Sequence, residues 1–229
     1  MAVDALAAAV TALVAVILAL TFGRQYARRG SLHALWWGIA FLATAGAAAL
    51  QLAGFLRGAF DPGGYRVYVV LAAAVPALMG AGTLFLLWPR WAWPYTALTL
   101  AFVALTAVGA GTAPLAPGLL HAVLRASEEV TRVLPSSLVT TGFAVLGTLG
   151  ALALVLGALW SWWRTRLGYN LLIAAGGVVF SVADSLAAYG VAALFYVAQI
   201  AGILLLYWGV EASRRRREQV GAVPRSTAS

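Results

Sequence analysis

The residues able to do acid–base or ligand chemistry are few. The chain carries seven acidic residues, two histidines, no cysteine and no lysine; all fifteen of its basic residues are arginine. Asp184 stands apart from the other acids because it lies well inside an apolar run, in SVADSLAAYG. A carboxylate at the centre of a membrane helix costs roughly 2.5–3.5 kcal/mol on insertion scales, so such a group is read first as functional. It could bind a proton, a cation or the hydroxyls of a solute. The competing reading is a carboxyl near the membrane surface that bridges helix ends. Gln51, Gln199, Tyr68 and Tyr196 are the other polar candidates within apolar sequence, and Arg57 and Arg66 flank them.

Much other chemistry is excluded by residue type. Without cysteine there is no disulfide, thiolate metal site or cysteine nucleophile. Without lysine there is no Schiff base, so covalent retinal is excluded. His33 and His121 are expected on opposite membrane faces and cannot share a haem. Glu128 and Glu129 are adjacent on one helix and point two ways, so they make no catalytic pair. No phosphate-binding loop or dinucleotide fingerprint occurs. The sequence therefore predicts no catalytic residues, no metal and no cofactor, and an enzyme is not the expected class.

The elements that must position these residues are membrane helices. The chain is 63% hydrophobic and 10% charged over 229 residues, against about 25% charged in soluble proteins. Apolar runs long enough to cross a bilayer predict an all-α seven-helix bundle, with spans at about 4–23, 32–56, 66–88, 92–112, 137–161, 168–188 and 190–211. Arginine alternates between the connections. Arg24, Arg28, Arg29, Arg90, Arg164, Arg166, Arg214 to Arg217 and Arg225 fall on one side, eleven in all; Arg57, Arg66, Arg125 and Arg132 fall on the other. Positive charge stays in the cytoplasm, which predicts the N-terminus outside and the C-terminus inside. Trp36, Trp37, Trp88, Trp91, Trp93, Trp160, Trp162, Trp163 and Trp208 all fall on the arginine-rich side, at the depth indole prefers. This scatter of charge between apolar spans fits a multi-pass protein of the cell's inner (plasma) membrane, and not a nucleic-acid binder.

Two segments lie outside the spans. GLLHAVLRASEEVTRVLP predicts an amphipathic helix at about 118–134 on the outer surface. Its Arg125–Glu129 and Glu128–Arg132 pairs stand at i,i+4. The tail, 213–229, is polar and basic. Its Arg214, Arg215, Arg216 and Arg217 anchor the topology and could attract anionic lipid.

The stretch from Phe22 to Phe55 parallels that from Ala158 to Gly190. Each passes an arginine-rich aromatic turn and enters a Gly/Ala-rich helix that ends in a polar residue, Gln51 or Asp184. Spans 1–3 thus match spans 5–7 in direction, with span 4 as an inverting linker, a parallel repeat known among transporters. This N-out 3+1+3 arrangement resembles that of the SWEET and related PQ-loop transporters. Their helix prolines and facing asparagines are missing: Pro76 is the one proline deep in a span, and Asn170 is the single asparagine. The resemblance implies an architecture, not sugar as substrate. RRGSLHALWWGIAFLATAG, YRVYVVLAAAVPALMGAGTLFLLWPR and GYNLLIAAGG also resemble a group of uncharacterised bacterial integral membrane proteins.

If spans 6 and 7 turn at Tyr189 and Gly190, Asp184 comes level with Phe195 or Tyr196, and Gln199 lies another turn deeper. Gln51 comes near the level of Tyr68. These groups are expected to line a pocket open to the outside, with Arg57 and Arg66 at its mouth and Pro76 as a hinge. The expected function is binding, and transport, of a small molecule or lipid. The alternative is a membrane sensor or interaction module acting through the basic tail.

Overall fold

The computed structural model describes residues 2–124 and 130–168, together with 171–172, 174–176, 178–179, 197–198, 200–202, 204–205, 207–209 and 211–212. Asp184, Tyr196 and Gln199, with Arg125, Asn170 and the basic tail, lie outside the described residues, as does most of the sixth and seventh expected spans. Among the described residues the secondary structure is helical and without strands. Its elements are α1 (Ala2–Arg29), α2 (Leu32–Arg57), α3 (Pro62–Leu87), α4 (Pro89–Thr112), the short α5 (Leu120–Val123) and α6 (Val130–Val133), and α7 (Ser137–Thr165). Five of these, α1 to α4 and α7, are long and apolar enough to cross a membrane.

The turns follow from local chemistry. Gly30 and Gly58 supply positive φ, +60° and +79°, where the chain leaves α1 and α2. Asp61 caps α3 by accepting from the Gly64 backbone N–H at 2.9 Å, with Pro62 in the first turn. Trp88 alone separates α3 from α4, and Pro89 behind it bars a helical conformation at Trp88 (φ −141°, ψ 73°). These short connections make sequential helices antiparallel neighbours.

In packing order, α1 lies on α2, α2 on α3, and α3 against both α4 and α7, which also touch. The hub is α3: 67% of its apolar window is buried, against 28% for α4. The burial pattern is that of a membrane protein. On α1, Ala7, Ala8, Thr11, Ala15 and Leu18 face inward, while Val3, Leu6, Leu13 and Ile17 are half or more exposed. Small residues inside let helices approach closely, and large aliphatic side chains outside suit hydrocarbon.

Each end of the bundle has its own core. At one end, which we call the tryptophan end, Phe22, Trp37, Phe41, Leu78 and Leu154 pack together. Trp88 lies 5.9 Å from Trp160, which lies 5.4 Å from Trp163, while Trp93 meets Phe85 edge-on at 5.1 Å. At the opposite, tyrosine end, Phe55, Phe60, Tyr65, Val69, Val133 and Leu134 form the core. The segment expected as an amphipathic helix at about 118–134 holds α5 and α6, with 125–129 outside the described residues. Its Leu120, Leu124, Val133 and Leu134 are buried in that core. Backbone bonds hold it there: the Phe60 N–H donates to the Leu120 carbonyl at 3.4 Å and the Ala116 N–H to the Val133 carbonyl at 3.0 Å.

Candidate functional site

The tyrosine end gathers the described candidates. Asp61 starts α3 one turn before Tyr65, so Tyr65, Arg66 and Tyr68 fall in its first two turns. Tyr65 points inward and is fully buried; Tyr68 is half-buried beside it. Their rings are 6.1 Å apart, and Phe60 lies 5.3 Å from Tyr65 and 5.1 Å from Tyr68. Gln51, near the end of α2, is also buried, at 8% exposure. Its neighbours Leu50 and Leu52 pack on the same core.

The Tyr65 hydroxyl is the electrostatic anomaly of this end. It is buried with no hydrogen-bond partner among the described residues. A buried donor left unpaired costs about 1–3 kcal/mol, so native structures rarely leave one without a partner, water or ligand. Tyr65 and Tyr68 are an aromatic pair in the sequence, of which Tyr68 alone is a sequence candidate. The spacing at i,i+3 marks both as one aromatic face; only packing shows which hydroxyl is sealed in.

The flanking arginines differ. Arg57, the last residue of α2, is exposed. Arg66 reaches across to α4, where its guanidinium donates to the Ala110 carbonyl and, at 2.9 Å, to that of Ala113. Those carbonyls end a helix and lack intrahelical partners, and a cation there also meets the negative end of the helix dipole. Arg66 therefore ties α3 to α4 beside the tyrosine core.

Pro76 lies mid-way along α3. Having no N–H, it leaves the carbonyl of Ala72 without its helical donor. Gly150 of α7 packs directly on the Pro76–Ala77 backbone; a Cβ there would overlap it. Nearby, the Trp37 indole N–H donates to the Met79 carbonyl at 3.1 Å.

Asp184, Tyr196 and Gln199 cannot be placed among the described residues, but Ala198 and Ile200 pack on the tyrosine core. A further polar feature, with little signal in the sequence, lies on α4. Ala92, Thr96, Thr99, Thr106 and Ala110 form its buried stripe. Threonine in a span is easily overlooked because its hydroxyl can bond the carbonyl four residues back; the signal was three threonines on one helical face. Among the described residues no group of three or more His, Asp or Glu could hold a metal.

No family model matches the chain, and neither a curated protein nor a solved structure matches it.

Proposed function

We propose that the chain is a bacterial inner-membrane protein of seven helices, N-terminus outside and C-terminus cytoplasmic, that binds and transports a small molecule or lipid. Its pocket opens outward at the tyrosine end, lined by Gln51, Tyr68, Asp184, Tyr196 and Gln199, with Arg57 and Arg66 at the rim. The observation that carries this reading is the Tyr65 hydroxyl, sealed beside Tyr68 and with no hydrogen-bond partner among the described residues of that end. Two facts add support. Gln51 is buried at the same end, and Ala198 and Ile200, the sequence neighbours of Gln199, pack on the same core. A parallel 3+1+3 repeat, like that of the SWEET and PQ-loop transporters, belongs to the same reading. Arg214 to Arg217 anchor the tail and attract anionic lipid.

A second reading is favoured by the closed packing of the same end, where Tyr65, Val69, Val133 and Leu134 have no exposed surface. A closed core suits a sensor signalling through its basic tail. Thermal stabilisation of the purified protein across a panel of metabolites and lipids separates the two. Transport predicts a ligand whose stabilising effect falls in Asp184→Asn; a ligand that stabilises both proteins equally at several pH values removes Asp184 from the site.

A further inference from the structure

Threonine hydroxyls in this protein follow a habit. Those of Thr21, Thr44, Thr83, Thr106, Thr112, Thr140 and Thr165 each donate to the carbonyl four residues back, at 2.7 to 3.1 Å. Thr96 and Thr99 break it. They are 3% and 1% exposed, yet neither hydroxyl has a hydrogen-bond partner among the described residues. Thr11, on α1, is a further such threonine among the described residues. On α4 the two are joined by a third group. The Tyr95 hydroxyl, one turn before Thr99, lies within interaction reach of the Thr99 hydroxyl, and among the described residues it has no hydrogen bond of ordinary geometry.

The place is defined by glycine. A Cβ added at Gly80 of α3 would overlap the Tyr95 hydroxyl and stand 3.0 Å from the Ala153 Cβ of α7. The tyrosine oxygen therefore lies where α3, α4 and α7 meet. Tyr95 to Thr99 are six to ten residues into α4, or about 9–15 Å from its tryptophan end at the helical rise. This is bilayer depth, far from the tyrosine core.

We infer that the α3–α4–α7 junction holds a small uncharged hydrogen-bonding guest, seated on the hydroxyls of Tyr95, Thr96 and Thr99. Three hydroxyls supply donors and acceptors in the number a buried water uses. The described groups that meet at Gly80, the Tyr95 hydroxyl and Ala153, are uncharged, so an ionic guest would find no counter-charge among them. Water is the smallest such guest, and a polyol or other neutral solute shares its chemistry. The site is independent of the pocket at the tyrosine end.

Because the chain has no cysteine, single thiols report local water directly. Thr96→Cys, Thr99→Cys and, as control, Thr106→Cys are to be labelled with a small methanethiosulfonate in membranes. Thr106 lies in the same stripe but its hydroxyl is bonded to the Phe102 carbonyl. A thiol in a dry apolar site ionises poorly and reacts slowly, so the first two should react on the order of tenfold faster than the control. Slowing by glycerol identifies a solute as the guest; no slowing identifies water. Thr99→Val, which keeps the shape and loses the hydroxyl, should melt below wild type because the guest loses a partner. Equally slow labelling at all three positions, or a Thr99→Val protein melting at or above the wild-type temperature, overturns the inference.

Discussion

Single polar atoms decide how the helices of this bundle meet. The Trp37 indole lies against Gly82 of α3 and donates to the Met79 carbonyl, which also accepts from the Thr83 hydroxyl at 3.1 Å. Trp37→Phe keeps an aromatic ring and removes the donor, so it should cost about 1 kcal/mol, read as a lowered melting temperature in detergent. Arg66→Gln removes a charged donor from the last carbonyls of α4 and should cost about 1.5–3 kcal/mol by the same measurement. Residue identity alone marked Asp184, Gln51 and Arg66 as unusual in apolar sequence. It did not separate Tyr65 from Tyr68, nor Thr99 from Thr106, because the difference in each pair is one of packing.

At the scale of elements, α3 is held by α7 through glycine. Gly150 lies on the Pro76–Ala77 backbone, and Gly157 meets Thr83. Gly147, one turn earlier on α7, has nothing within 4 Å of its Cβ position. Gly150→Ala should therefore cost about 1–3 kcal/mol through overpacking. Gly147→Ala should stabilise by up to about 1 kcal/mol, since alanine is the better helix former. Chemical or thermal denaturation of the two variants side by side checks the contrast; equal effects would show that α3 and α7 are not in contact there. Both glycines look the same in sequence. Apolar length and arginine-rich turns made the long helices legible, whereas Ala/Gly-rich stretches contain too little pattern to show which face meets which neighbour. The segment after α4 shows the same limit: its amphipathic period was legible, but not that Leu120, Leu124, Val133 and Leu134 are buried in the tyrosine core.

At the scale of the whole molecule, the described bundle has two unlike ends. Tryptophan and arginine gather at one, tyrosine and the buried Gln51 at the other, and the described helices alternate between them. The proposed topology puts the tyrosine end outside. Gly118, at the tyrosine end, and Gly168, just beyond α7, both have open space around them. A membrane-impermeant thiol reagent added to intact cells should label Gly118→Cys and spare Gly168→Cys; the reverse pattern would invert the protein. Helical class and apolar length were plain from composition. Whether Asp184 meets Gln51 depends on how segments distant in sequence pack, which periodicity does not encode.

The central claim is that a ligand binds among Gln51, Tyr68 and Asp184. Its most direct measurement is the equilibrium affinity of a stabilising ligand for wild type, Gln51→Leu and Asp184→Asn, with Thr140→Val as an exposed control. Loss of one hydrogen-bonding partner is expected to weaken binding in both site variants by about tenfold, the factor given by about 1.4 kcal/mol, and to leave the control unchanged. Affinities equal across all four proteins would contradict the pocket.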